Sequence, residues 1–372
     1  AEPPEPVLQA FGNIECRDAV LAYDGIEPDV DAKTGQVRTR WGGRMMKHPV
    51  TGEEVPDPED QVVIYRYLNP RPAEWPEADY VVSNPPFIGN YRMREALGDG
   101  YAEALRQIYK QVSDTADYVM YWWHKGAETL KSSDISRFGF ITTNSIWRVF
   151  QRKTIDYHLK QKKPITLFFA IPDHPWVDNG AAVRIAMTAA ELEDPKIKSS
   201  SQLGSVIQEG NALTPEDEAD TVAVEYKNVS KIFSNLRAGA DVTKTFSLVS
   251  NKQLCCRGVQ LIGRGFELEN VDPCPVEEEV VHPHLNGRDL LHKSRENFVI
   301  DLFGHIEKEV QEKYPRAYQW VYERVKPERE QNNRASYRKN WWIFGEPRTT
   351  LREALKDLSI YIATVETAKH RV

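Results

Sequence analysis

The chain has 372 residues, of which 41% are apolar and 28% charged, and a net charge of −7. This composition is typical of globular proteins, and the length predicts two domains. No run approaches the roughly 18 apolar residues of a membrane span, no signal peptide is recognisable, and the four cysteines lack zinc-like spacing. We therefore expect a cytoplasmic protein with no membrane partner and no metal site.

The predicted elements alternate between strands and helices. A short strand precedes Asp18, and hairpin-like runs cover 28–60. A strand then ends at Asn84, and a helical pattern covers about 93–131. The next three strands are "RFGFITTNSIW", "ITLFFAI" and "AAVRIAMTAAEL". This alternation predicts an α/β fold with a parallel sheet covered on both faces.

The polar, serine-rich stretch "EDPKIKSSSQLGS" is a candidate domain boundary. It divides the chain into a first domain over 1–195, a linker or helical connection over 196–240, and a second domain over 241–372.

The stretch "VVSNPPF" places two prolines directly after a strand. Pro85 biases Asn84 towards an extended conformation, and Pro86 fixes the next φ angle. The Asn84 amide oxygen and a neighbouring carbonyl then offer two acceptors to a planar NH₂ group such as the exocyclic amine of adenine. Phe87 supplies a ring on which a base can stack. The alternative is an ordinary proline turn that closes a strand.

Residues 324–352 hold eight Lys/Arg and three Glu, a local net charge of +5. Cations interleaved with aromatic rings are typical of nucleic-acid contacts. The alternative is a charged helix face followed by a packed Trp-Trp pair. The candidate DNA-binding residues are Arg329, Arg334, Tyr337, Arg338, Lys339 and Arg348.

The chain resembles the γ-class adenine-N6 DNA methyltransferases, and within them the MmeI-like restriction–modification proteins. The stretches that carry the resemblance are "FGNIECRDAVLAYD", "EADYVVSNPPFIGNYRMREALGDGY", "DYVMYWWHKGAE", "RFGFITTNS", "FAIPDHPWVDNGAAVRIAMT", "NGRDL" and "NWWIFGEPR".

The resemblance implies a partial class I, Rossmann-like methyltransferase sheet over 1–195 and a mixed α+β target-recognition domain over 241–372. It also implies S-adenosylmethionine as methyl donor and a flipped adenine of double-stranded DNA as substrate. Asn84, Pro85, Pro86 and Phe87 match the catalytic motif of the family.

Two further residues take their roles from the resemblance. Asp18 matches the acidic residue that binds the adenine of the cofactor, although such a residue can also simply cap a helix or a turn. Trp176 lies where the family places a second aromatic ring against the flipped base, although it can also be core packing.

Family members carry a glycine-rich cofactor loop upstream of Asp18, usually preceded by nuclease and helical regions, and none of these is present here. We therefore expect a fragment of a site-specific adenine methyltransferase, inactive alone and possessing an incomplete cofactor pocket. Two other readings stay open: a non-catalytic DNA-binding fragment, and a methyltransferase acting on RNA or protein glutamine.

Overall fold

The computed structural model describes residues 14–365 except positions 51, 53, 134, 179–180, 195, 197–199, 209–221, 240–244, 247, 252–253, 270, 293–294 and 333. The chain forms two compact units. Unit 1 comprises 1–37 and 64–245, and unit 2 comprises 38–63 and 246–372. Within the described ranges, no helix is long and apolar enough to cross a membrane.

Short antiparallel ladders occupy the region up to residue 72. Unit 1 pairs the first strand with the eighth and the second with the seventh, whereas unit 2 pairs the third with the sixth and the fourth with the fifth. The strands are β1 (Leu21–Ala22), β2 (Gly25–Pro28), β3 (Thr39–Trp41), β4 (Met45–Lys47), β5 (Glu54–Pro56), β6 (Gln61–Val63), β7 (Tyr65–Leu68) and β8 (Arg71–Pro72).

A six-stranded sheet is the centre of unit 1. Its strands are β9 (Tyr80–Ser83), β10 (Arg137–Thr143), β11 (Ile165–Asp178), β12 (Ala181–Leu192), β13 (Ser201–Gln208) and β14 (Ala223–Val229). The order is β14-β13-β11-β12-β10-β9. Strands β9 and β10 are parallel, but β12 runs antiparallel between β10 and β11. The predicted α/β class is confirmed, and the sheet is mixed rather than parallel.

The helices that the structure describes beside this sheet are α1 (Asn90–Leu97), α2 (Asp99–Ile108), α3 (Val119–Ser132) and α4 (Val149–Leu159). The single helical pattern predicted over 93–131 is therefore three helices. Gly98, with a φ of 87°, ends α1, because this left-handed conformation favours glycine. Helix α3 packs on β10, where Trp123 lies edge-on to Phe138 with 5.3 Å between ring centroids.

The segment predicted as a linker, 196–240, contains strands β13 and β14. Strand β13 pairs with β11, and β14 pairs with β13. A Cβ atom at Gly204 would lie 2.8 Å from Ile171 and 3.0 Å from Tyr226. Glycine therefore allows close packing in a stretch whose polar sequence indicated a boundary. The division between the units falls later, after residue 245.

Among its described residues, unit 2 contains a three-stranded sheet and six α-helices in addition to the β3-β6 and β4-β5 ladders. The strands, in the order β15-β17-β16, are β15 (Glu267–Leu268), β16 (Val281–His284) and β17 (Asn297–Ile300). The helices are α5 (Gly287–Leu291), α6 (Glu307–Lys313), α7 (Pro315–Arg324), α8 (Lys326–Glu330), α9 (Ala335–Lys339) and α10 (Thr349–Leu355). Its core includes Phe266, Val321, Trp341 and Phe344.

Candidate active site

The Asn-Pro-Pro-Phe segment begins directly after β9, at the end of the sheet where the parallel strands β9 and β10 finish. Asn84 is exposed, Pro85 is buried and Phe87 is half-buried. The N–H of Ile88 donates to the carbonyl of Pro86 at 3.0 Å, which closes the turn. The asparagine is thus open to solvent and the phenylalanine partly so, whereas the first proline of the turn is packed inside.

Asp117 and Tyr118 anchor the far side of this turn. The N–H of Tyr118 donates to the carbonyl of Ile88 at 2.9 Å, and the N–H of Asn90 donates to the Asp117 Oδ1 atom at 3.0 Å. Asn90 begins α1, whose N-cap residue Gly89 has no side chain to provide a cap. The Asp117 carboxylate therefore caps α1 from another element, where negative charge stabilises the helix N-terminus.

The same carboxylate reaches the end of the neighbouring strand. The Ser145 hydroxyl, just after β10, donates to the Asp117 Oδ2 atom at 3.0 Å, and the Asp117 N–H donates to the buried Gln151 of α4 at 3.0 Å. Asp117 thus ties the proline turn to β10 and α4. Our sequence reasoning missed this residue, because its partners are distant in sequence and only the uncapped "IGN" start of α1 gave a signal.

Asp18 is exposed, yet protein donors engage both of its carboxylate oxygens. The Oδ1 atom accepts from the N–H groups of Val20 and Leu21 at 2.7 and 2.9 Å, and the Oδ2 atom accepts from the Tyr101 hydroxyl at 2.6 Å. The Tyr101 hydroxyl also lies 2.9 Å from that of Tyr118. Burial, followed by the charge of the neighbouring tyrosine, raises the pKa of Tyr101 and keeps it a donor.

This arrangement orients Asp18 without using all its acceptor capacity. A carboxylate offers about four lone-pair sites, and the three bonds described leave one for an outside amine. The predicted contact with the adenine of S-adenosylmethionine therefore fits the residues present. Tyr118 connects this carboxylate to the proline turn, since its backbone N–H holds Ile88.

Trp176 is half-buried near the end of β11, opposite Val183 of β12. It lies at the same end of the sheet as Asn84, because β9, β10 and β11 run in one direction. Three strand spacings separate β11 from β9, which is about 14 Å across the sheet. The sheet alone does not bring Trp176 against Phe87, so its role as the second ring stays a prediction.

One described cluster has the composition of a metal site: His124, Glu128 and His158. The two imidazoles bond to each other, with 2.8 Å between His158 Nε2 and His124 Nδ1. Lys131 Nζ lies 2.6 Å from the other nitrogen of His158. Burial lowers the pKa of both histidines. This pair is therefore a neutral, packed contact between α3 and α4, and the ammonium disfavours a second cation.

In unit 2 the predicted DNA-binding residues are used in different ways. Arg329 is 1% exposed, and its Nη2 atom donates to the carbonyls of Leu261 and Ile343 at 2.8 and 3.2 Å. Burial lowers the pKa of its guanidinium. Arg329 thus holds the core of unit 2 together and does not face solvent, and we leave it out of the proposed DNA contacts.

Of the other five residues, Arg334, Arg338 and Lys339 are exposed and Arg348 is half-buried. Tyr337 is buried, with its hydroxyl accepting from Arg334 at 2.7 Å and donating to Glu346 at 3.1 Å. Arg334 and Arg348 form ion pairs with Glu346 at 3.5 and 3.4 Å. The remaining two, Arg338 and Lys339, are exposed at the end of α9, and Arg338 donates to the carbonyl of Asn332.

Comparisons with known proteins show what part of this chain is similar to. Residues 31–197, which include the proline turn and Trp176, match the family model described as "MmeI, DNA-methyltransferase domain". The resemblance to the MmeI-like DNA methyltransferases that the sequence predicted is confirmed for this segment, which is a little less than half of the chain.

A solved structure of the type IIL restriction–modification enzyme MmeI in complex with DNA is similar to this chain at 17% identity and a TM-score of 0.49. The match covers 73% of this chain and 36% of the MmeI chain. This chain therefore spans little more than a third of the length of MmeI. No curated protein matches the chain.

Proposed function

We propose that this chain is the catalytic and DNA-reading part of a site-specific adenine-N6 DNA methyltransferase of a restriction–modification system. The observation that carries the proposal is the anchored turn. Asn84 is exposed beside the half-buried Phe87, and both lie within the residues that match a DNA-methyltransferase family.

In the proposed mechanism the target adenine leaves the base stack, as enzymes that modify bases require. Its exocyclic amine donates one hydrogen to the Asn84 amide oxygen and one to the Pro85 carbonyl. Phe87 stacks on the ring of the base. These contacts favour a pyramidal nitrogen, whose lone pair is then less delocalised and more nucleophilic.

S-adenosylmethionine, when bound, supplies the methyl group. Within this chain Asp18 is the residue proposed to hold the cofactor, through the remaining acceptor site of its carboxylate. Tyr101 and Tyr118 keep that carboxylate in place and connect it to the turn that carries Asn84.

The finer structural assignments are part of the same proposal. The sheet of unit 1 would be part of a class I methyltransferase sheet, and residues 241–372 would be a target-recognition domain. In this second region Arg334, Arg338, Lys339 and Arg348 are the proposed DNA contacts, with Tyr337 as their buried support.

The test is methyl transfer from labelled S-adenosylmethionine to adenine in duplex DNA by the intact protein that contains these residues. We expect Asn84→Ala to lower the rate about 100-fold or more, the scale seen when one preorganised polar group is removed at a reacting centre. The matched control is Asn228→Ala, an exposed asparagine on β14 at the opposite edge of the sheet. Equal rates for both variants would refute the role of Asn84.

A pure DNA-binding function is the second candidate, because protein donors already occupy most of the Asp18 carboxylate. Calorimetry separates the two. Binding of S-adenosylmethionine that Asp18→Asn weakens supports the methyltransferase, whereas DNA binding by an intact protein that takes no cofactor supports the binding module.

A further inference from the structure

A second cationic and aromatic surface lies in unit 1, at the end of the sheet that carries the proline turn. Residues 145–153, which lead from the end of β10 into α4, hold three Lys/Arg and no Asp or Glu, a net charge of +3. Trp147 is 40% exposed and Phe150 is 52% exposed, although both have large apolar rings. The intervening Arg148 is also exposed.

This surface is adjacent to the turn because Asp117 contacts both. One carboxylate oxygen accepts from the N–H of Asn90 at 3.0 Å, and the other accepts from Ser145 at 3.0 Å. Tyr91, which follows Asn90, is 97% exposed. The exposed start of α1 and the segment that leads into α4 are therefore neighbours.

Helix α4 separates its two faces by charge. Its buried side consists of Gln151, Thr154, Ile155 and His158, none of which is charged at neutral pH, because burial lowers the pKa of His158. Lys153 is exposed on the outer side, and its Nζ atom lies 5.5 Å from the centroid of the Phe150 ring. Within the part of the chain that the structure describes, Arg148 and Lys153 form no ion pair.

We propose that Tyr91, Trp147, Arg148, Phe150 and Lys153 bind the DNA strand that flanks the target adenine. This inference rests on the proposed function and adds a contact surface to it. The two cations would hold phosphates, and the exposed rings would stack on bases that lose their neighbour when the adenine leaves the duplex.

The spacing of the two cations suits a nucleic-acid strand. Lys153 lies five positions after Arg148, the N-cap residue of α4, an axial rise of about 7.5 Å. Phosphates two nucleotides apart along one strand span about 7 Å of the helix axis. Exposed rings alternating with unpaired cations also match the chemistry of single-strand binding better than that of a protein interface, whose core is depleted in charge. In the sequence, "WRVFQRK" is the signal that could have revealed this surface.

The experiment measures fluorescence anisotropy of the 372-residue chain with a labelled dT30 oligonucleotide and a labelled 30-base-pair duplex, from about 50 to 200 mM salt. The test variant is Arg148→Ala/Lys153→Ala. The control is Lys162→Ala/Lys163→Ala, which removes the same charge from exposed positions beyond the end of α4. Thermal melting confirms that each variant is folded.

We expect the test variant to bind dT30 at least about tenfold more weakly and to lower the salt slope by about 1.4, the value for two phosphate contacts. The control should lose less than about threefold. Phe150→Ala should weaken binding by about fivefold or more with an unchanged salt slope, because stacking releases no counterions.

Equal losses in the two double variants would overturn the proposal, since only general charge would then matter. Normal binding by Arg148→Ala/Lys153→Ala would show that this surface does not bind DNA, but it would not contradict the proposed function. If the parent chain binds neither oligonucleotide, both the proposed DNA-binding surface and the proposed DNA-reading function are refuted.

Discussion

Segments 145–163 in unit 1 and 324–352 in unit 2 have the same net charge of +5. In the unit 2 segment most cations have partners within the protein. Arg329 is buried, Arg334 and Arg348 share Glu346, and Arg352 pairs with Asp301 at 2.7 Å. In the unit 1 segment Lys160 pairs with Asp156 at 3.7 Å, but Arg148 and Lys153 are exposed and form no ion pair among the described residues.

The difference shows that local charge does not define a binding surface by itself. A cation that already holds a carboxylate or a carbonyl must give up that contact before it binds a phosphate, whereas a solvated cation only releases water and counterions. We therefore expect the unit 1 segment to contribute more DNA affinity per charge than the unit 2 segment.

Arg329→Ala should destabilise the protein by about 3 kcal/mol, because it removes two hydrogen bonds from a charged group and leaves a cavity. Arg329→Met should lose only about 1 kcal/mol, since the Nε and Nη1 atoms of Arg329 are buried and have no partner among the described residues. Urea unfolding followed by tryptophan fluorescence gives both values.

The matched control for a structural cation is Arg148→Ala, an exposed arginine in the other segment. Its unfolding free energy should change by less than about 0.5 kcal/mol. If Arg329→Ala is as stable as Arg148→Ala, the two segments do not differ in the way proposed.

The histidine pair between α3 and α4 predicts a pH dependence in unit 1. Burial lowers the folded-state pKa of His124 and His158 below 6.5. As pH falls through 6.5 the unfolded chain takes up protons that the folded chain does not, so stability decreases. We expect a loss of about 2 kcal/mol between pH 7 and 5.5.

His158→Gln should reduce this pH dependence by about half, because one of the two titrating groups is removed. The comparison is made within each variant, between the two pH values, so a lower overall stability does not matter. An unchanged slope in His158→Gln would show that other groups cause the loss.

Asp117→Ala should lower stability by about 1–2 kcal/mol, since the first N–H of α1 and the Ser145 hydroxyl lose their shared acceptor. Hydrogen exchange at the amide of Asn90 should accelerate more than exchange in the core of β10. The control is Asp114→Ala, an exposed aspartate in the same turn region. Equal exchange rates in both variants would contradict the capping role.

Patterns between near neighbours in the sequence predicted much of this structure. Strands β10, β11 and β12 follow from their apolar runs, and the turn at Asn84 follows from two prolines. The α/β class and the methyltransferase resemblance also follow from contiguous stretches.

Contacts between distant residues were not predictable in this way. Asp117 caps a helix that begins 27 residues earlier in the chain. Arg329 is buried because carbonyls at 261 and 343 converge on it. The polar sequence around β13 predicted a linker, whereas in the structure Gly204 of this strand packs against Ile171. In each case the deciding partner comes from a separate element of the fold.

The smallest expected effect concerns Glu346, whose carboxylate engages Arg334, Arg348 and the Tyr337 hydroxyl. Glu346→Gln should strengthen duplex DNA binding by about two- to threefold at 0.1 M salt, because exposed ion pairs are weak and their release gains little. Anisotropy against Glu353→Gln, an exposed glutamate of α10 with the same charge change, separates release of the arginines from the added net charge. If both variants gain equally, the arginines held by Glu346 make no DNA contact, and the basic character of 324–352 serves the fold of unit 2 rather than recognition.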